Sequence, residues 1–237
     1  MLTLAMDTCD RFGSVVTLVD GRPAGLQLHP DAEEYSSWLL PAVESSLVEA
    51  GKMFADLELL AVATGPGSFT AVRVGLTAVK ALSEVYAKRV VGVSRLEAMA
   101  SSVAVDGWIA ASYDAHRGQD FAALYRRASG ELKLIEDQMV IAPADFLSFV
   151  QQRTGADQVR WVAADPETLV WPFPQTEPQS GKYQPIKCSP GLAIAVGALA
   201  EQKAACGEFT DILQLEANYV RRSDAEIYWK GPAHRGG

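Results

Sequence analysis

The chain has 237 residues, 49% of them hydrophobic, with a formal net charge of −8. That length and apolar content suffice for one large domain or two small ones with a buried core, while the runs LELLAVAT and WIAAS fall far short of the roughly 20 apolar residues of a membrane helix. The negative charge argues against direct nucleic-acid binding as the main activity, because such binding draws most of its affinity from neutralising phosphates.

The N-terminus, MLTLAMDTCD, has no basic n-region and reaches Asp7 early, so no secretory signal is predicted and the chain is expected in the cytoplasm. Leu2 to Ala5, Gly13 to Val19 and Gly25 to His29 read as three short strands in an antiparallel meander, with Asp20-Gly21 as a hairpin turn. Tyr35 to Ala50 has helical apolar spacing and ends at Gly51; Pro41 must sit in its first turns or kink it. Leu57 to Ala63 is a continuous apolar run of strand length, as expected of a strand covered on both faces. GPGSFT, residues 65 to 70, follows at once. The segment Phe69 to Tyr86 then places Phe69, Val72, Leu76, Val79, Leu82 and Tyr86 on one helical stripe, with Ser68 as N-cap.

Val90 to Val93 gives another strand, and Ser94-x-x-Glu97 is a capping-box signature. After Ser102 the rhythm restarts. Trp108 to Ser112, Phe121 to Arg126 and Leu132 to Val140 read as strands, the last two joined at Ser129-Gly130. A helix over Pro143 to Gln151, a strand over Val159 to Ala163 and a Pro-rich loop from Pro166 to Pro185 follow. Ser189-Pro190 then opens an Ala-rich helix running to Gly207. The second half weakly echoes the first, which predicts two similar α/β lobes, residues 1–102 and 103–237, with the last helix packing back on the first lobe.

A strand that ends in a Gly-rich turn and enters a helix suits an anion, because free N–H groups and the helix dipole converge there. GPGSFT nonetheless lacks the Lys and Ser or Thr of the P-loop, and Thr70 stands where the dinucleotide fingerprint has its third glycine. A tight strand-to-helix turn and an anion site built from Gly65, Gly67 and Ser68 are both open on spacing alone. Asp7 and Asp114, each just past a strand at equivalent places in the two halves, either hold a metal-bound phosphate or cap turns. Ala71, Gly75 and Ala78 form a strip of small residues that allows close helix approach, within the core or between subunits.

Three cysteines, Cys9, Cys188 and Cys206, are an odd number without CxxC spacing, which excludes a disulfide framework and a zinc knuckle. The three histidines, His29, His116 and His234, never take the spacing of a helical metal site, so no metal is predicted.

LAMDT at 4 to 8, GPGSFTAVRVG at 65 to 75, VVGVSRLEAMA at 90 to 100, DAHRGQDFAALY at 114 to 125 and NYVRRSDAE at 218 to 226 together resemble the TsaB (YeaZ) family over most of the chain. That resemblance implies an α/β fold of the actin-like, Hsp70-like, sugar-kinase (ribonuclease H-like) type, with two lobes and a reduced C-terminal lobe. It implies an accessory, non-catalytic role in forming N6-threonylcarbamoyladenosine at position 37 of tRNAs that read ANN codons. The implied partners are a TsaD-like threonylcarbamoyltransferase, whose metal-binding His-x-x-x-His motif is missing here, and a TsaE-like ATPase. Contact with tRNA is implied mainly through the complex, and a homodimer when the chain is alone. The implied interface lies on the helices at 35 to 50 and 69 to 86, with Tyr35, Leu39, Val43, Phe69, Ala71, Val72, Gly75 and Val79. No cofactor is implied beyond a nucleotide at the partner interface, and Asp7, Gly65, Gly67, Ser68 and Asp114 would be a vestigial nucleotide site. Ala71, Tyr35, Gln119-Asp120-Phe121 and Ala163-Ala164-Asp165 depart from the family pattern. The competing reading is an active ATP-binding phosphotransferase or ATPase of the same fold using Asp7, Asp114 and the turn; a peptidase finds no paired ligands or triad spacing.

Overall fold

The computed structural model describes residues 1–30, 32–164, 181–189 and 191–220. The N-terminal meander forms β1 (Leu2–Asp7), β2 (Ser14–Val19) and β3 (Arg22–Leu28), antiparallel in sequence order. Asp20 and Gly21 both take positive φ, 50° and 75°, the backbone of a two-residue hairpin turn whose twist matches its strands. β4 (Leu59–Ala63) adds parallel to the other side of β1, and β5 (Arg89–Val93) parallel to β4, so the sheet runs β3-β2-β1-β4-β5. A short 3-10 turn at Phe54–Asp56 takes Leu57 and Glu58 out of the expected strand.

Two helices cover one face of this sheet, α1 (Tyr35–Glu49) against β2 and β3 and α2 (Phe69–Tyr86) mainly against β4. Pro41 lies in the second turn of α1 on its exposed side, and the helix runs on. Alternation along β2 sends Thr17 towards α1, where its hydroxyl bonds Ser46, and Leu18 to the opposite face. There α5 (Ala193–Ala205) packs, with Thr3 donating to Glu201 at 2.7 Å. Every residue of β1 and β4 is buried, as a strand covered on both faces requires.

The second sheet holds β6 (Gly107–Asp114), β7 (Asp120–Ala128), β8 (Glu131–Leu134), β9 (Met139–Ile141), β10 (Val159–Ala163) and β11 (Tyr183–Lys187), with α4 (Pro143–Thr154) against β7. Its order, β11-β10-β6-β7-β8, repeats the first in the opposite sense, the first strand central, two antiparallel neighbours on one side and two parallel on the other. This duplicated βββαβ order is the actin-like α/β fold. The lobes exchange their last helices: α3 (Arg95–Ser101), from the end of the first, packs on β6, β7 and β10, while α5 packs on β1, β2, β4 and β5, and the two helices touch. One hydrophobic core is continuous through both sheets, and a second, around Phe146, Trp161 and Tyr183, lies under α4.

Three expectations need correction. Leu132 to Val140 is two strands, β8 and β9, that pair with different stretches of β7 because the polar Glu136-Asp137-Gln138 interrupts them. The Pro-rich loop ends early: Tyr183–Lys187 is an edge strand parallel to β10, with Pro185 tolerated at the edge. The last helix opens at Ala193, after a turn in which Ser189 accepts the Gly191 N–H at 3.2 Å. Pro190, most of the Pro-rich segment and residues 221–226 of NYVRRSDAE lie outside the described residues.

Candidate functional site: an inter-lobe cleft and an open helix face

The turn Gly65–Ser68 joins β4 to α2 and forms one wall of a cleft of about 330 Å³ between the lobes. Gly65 has φ 107°, a conformation side-chain-bearing residues rarely adopt. A Cβ on Gly67 would sit 2.2 Å from the Cys9 carbonyl oxygen, so only glycine lets the turn lie this close to the end of β1. Ser68 donates its backbone N–H to that same oxygen at 2.8 Å. Ser68 occupies the N-cap position as predicted, but its hydroxyl makes no capping bond.

Asp7 is fully buried under the cleft and does not line it. Its carboxylate accepts the Cys9 N–H at 2.9 Å and the Arg95 Nε–H at 3.2 Å. Arg95, at the start of α3, is 1% exposed. It also reaches Asp10 at 3.5 Å, and its guanidinium lies 4.3 Å from the centroid of the Tyr113 ring. The Tyr113 hydroxyl donates to the Pro66 carbonyl across the cleft. Burial holds the Tyr113 phenol and the Cys9 thiol well above their ordinary pKa values, which favours the neutral form of both.

Asp114 does line the cleft, but it caps the β6–β7 turn, accepting the His116 N–H at 2.7 Å. Of the two carboxylates that the sequence paired, Asp7 lies buried beneath the cleft against Arg95, and Asp114 stands on its wall at the β6–β7 turn. Among the described residues no group of three or more His, Cys, Asp and Glu side chains is placed to hold a metal ion. Sequence reasoning missed Arg95, because an arginine at the first position of a helix is ordinarily exposed and its partners Asp7 and Asp10 lie more than 80 residues away.

The expected interface residues divide sharply. Tyr35, Leu39, Val43, Ala71, Val72, Gly75 and Val79 are buried within this chain, and only Phe69 is exposed, at 41%. Tyr35 stacks on His29 and donates to the Asp10 carbonyl. Gly75 lies against Thr8, whose Oγ1 would be 2.5 Å from a Cβ there and which donates to the Ala71 carbonyl at 2.7 Å. Of the small-residue strip, Ala71 and Gly75 serve the approach of α2 to the end of β1 within the lobe, while Ala78 lines the outer face of the helix. What α1 and α2 leave outside is an apolar groove of about 720 Å³, with Leu40, Phe69, Val74, Ala81, Val85 and Tyr86 in its lining. Val85 is 72% and Leu40 53% exposed. Monomers rarely leave a contiguous apolar surface of this kind uncovered.

Comparison with known proteins fits this architecture. The family model described as TsaD, tRNA N6-adenosine threonylcarbamoyltransferase, matches residues 29–229. The tRNA threonylcarbamoyladenosine biosynthesis protein TsaB of Escherichia coli K12 is 29% identical over 97% of both chains. That of Bacillus subtilis 168 is 30% identical, over 65% of this chain and 67% of its own. The chain belongs to this family, on its TsaB (YeaZ) side. The structure of YeaZ from Pseudomonas aeruginosa superposes with a TM-score of 0.69 at 25% identity, covering 91% of this chain and 99% of that one. Within this fold Arg95 lies beside Asp7 at the end of β1. No helix among the described residues is long and apolar enough to cross a membrane.

Proposed function

We propose that this protein is a non-catalytic subunit in the formation of N6-threonylcarbamoyladenosine at position 37 of tRNAs reading ANN codons, and that it acts by docking a TsaD-like threonylcarbamoyltransferase. The observation that carries the reading is the exposed apolar groove between α1 and α2, an uncovered surface on a chain whose relatives are named for this biosynthesis. The Asp7–Arg95 pair supports the non-catalytic part, because a carboxylate already matched by a buried guanidinium has no charge left for a metal-bound phosphate. In this reading the same groove makes a homodimer when the chain is alone, a TsaE-like ATPase joins the pair, tRNA is met mainly through the complex, and the work is cytoplasmic.

The test is reconstitution. With a TsaD-like enzyme, a TsaE-like ATPase and unmodified tRNA, adding this protein raises the yield of modified nucleoside. Val85→Glu, a change on the exposed wall of the groove, lowers both that yield and the affinity for the enzyme by about tenfold or more, because it forces a charge into a desolvated contact. At protein concentrations that keep the parent monomeric, its melting temperature stays within about 1 °C of the parent, since Val85 contributes little to the core. An unaltered yield with and without the protein would rule the reading out.

A further inference from the structure

The lobes share a continuous core and exchanged helices, and at the cleft itself one side chain adds a polar tie between them. Arg95 stands at the junction of four pieces of chain. Its backbone N–H donates to the Gly65 carbonyl at 2.8 Å, gripping the first residue of the turn. Its guanidinium takes Asp7 at the end of β1 and Asp10 in the following loop. The ring of Tyr113, on the central strand of the other lobe, packs on that guanidinium while its hydroxyl bonds Pro66. The far end of the turn is tied to the same place, since Ser68 N–H and the bare Cα of Gly67 both rest on the Cys9 carbonyl.

We infer that Arg95 is a positioning residue for the docking face: a resident cation that, with Asp7, Asp10 and Tyr113, closes the lobes at the turn and fixes the start of α2 without any ligand. The helix so fixed begins at Phe69, which lines both the cleft and the groove. Fully buried charges of opposite sign, each hydrogen-bonded, hold one geometry because any looser one leaves a charge uncompensated. The link from α2 to a partner rests on the proposed function; the closure of the lobes does not.

The isolated protein gives the first test. Asp7→Asn combined with Arg95→Met removes both charges together, and Tyr113→Phe keeps the ring and removes the hydroxyl that bonds Pro66. Amide hydrogen exchange is followed at residues 67–72, with α4, which packs on the separate second core, as internal reference for global stability. Both variants are expected to exchange about tenfold faster at 67–72 with α4 unchanged, and to bind the TsaD-like enzyme several-fold more weakly. Magnesium and ATP leave the exchange of the parent protein as it was. Wild-type exchange at 67–72 in both variants, or a rise matched in α4, overturns the inference; so does protection of those amides by magnesium and ATP. Faster exchange with undiminished enzyme affinity refutes the positioning role. A parent protein that fails to bind the enzyme at all refutes the docking reading alone, because the exchange is measured without it.

Discussion

Two buried carboxylates illustrate how surroundings decide what a side chain does. Asp7 is matched by Arg95, and removing it strands a guanidinium that is 1% exposed. Asp7→Ala is expected to cost about 3–5 kcal/mol in denaturant unfolding, and the paired Asp7→Asn, Arg95→Met change much less. Asp120 is the opposite case: 4% exposed, with one carboxylate oxygen lacking a hydrogen-bond partner, and placed directly across the β6–β7 pair from Asp114. Burial, and then the Asp114 charge, push its pKa up to about 6. The folded protein therefore holds this proton more tightly than the unfolded chain. The favourable contribution is complete below the unfolded carboxylate pKa near 4 and is lost as the pH rises through about 6. Asp120→Asn should accordingly raise stability at pH 7, by on the order of 1 kcal/mol after solvent screening, and make no difference near pH 4. Equilibrium unfolding at the two pH values distinguishes this from a general stabilisation.

At the scale of single elements, α2 is the informative case. Gly75→Leu, which would be a natural way to disturb a helix interface, instead drives a side chain into Thr8 inside the lobe. It should destabilise the monomer by about 1–3 kcal/mol or more, seen as a lower melting temperature with no partner present, whereas Val85→Glu spares the melt and loses the partner. The existence and ends of α2 were legible because Phe69, Val72, Leu76, Val79 and Leu82 repeat at helical spacing. Which flank stays outside was not. Val74, Ala78, Ala81 and Val85 repeat at the same spacing, and periodicity identifies an apolar face without saying what covers it. The turn Gly65–Ser68 could be read as a strand-to-helix turn, but its partner Arg95 comes from 30 residues further on, beyond local pattern. β11 escaped for the same reason: Tyr183–Lys187 is a strand only because β10 lies beside it, and Pro185 within it argues locally for a loop. The sequence did place β1 to β7 and β10, and β4 is the clearest of them, because its continuous apolar run LLAVA has one physical explanation, burial on both faces.

For the molecule as a whole the exchange of α3 and α5 matters most. Each lobe borrows the helix that follows the other, so one face of each sheet is covered only by a helix from the other half of the sequence. A fragment ending at Ser102 would leave the face bearing Leu18 and Ala5 open, and is expected to show no cooperative thermal unfolding, in contrast to the full chain. The same exchange has a meaning during synthesis. The strands of the first sheet are all made by Val93, yet the helix that seals them begins at Ala193. At about 5–20 residues per second that interval lasts on the order of 5–20 s, during which the apolar strands of the first half remain unsealed and open to the cell. The newborn chain thus passes through a scheduled window of stickiness, set by gene order and not by final stability, in which a chaperone or a slower ribosome would have its greatest effect on yield.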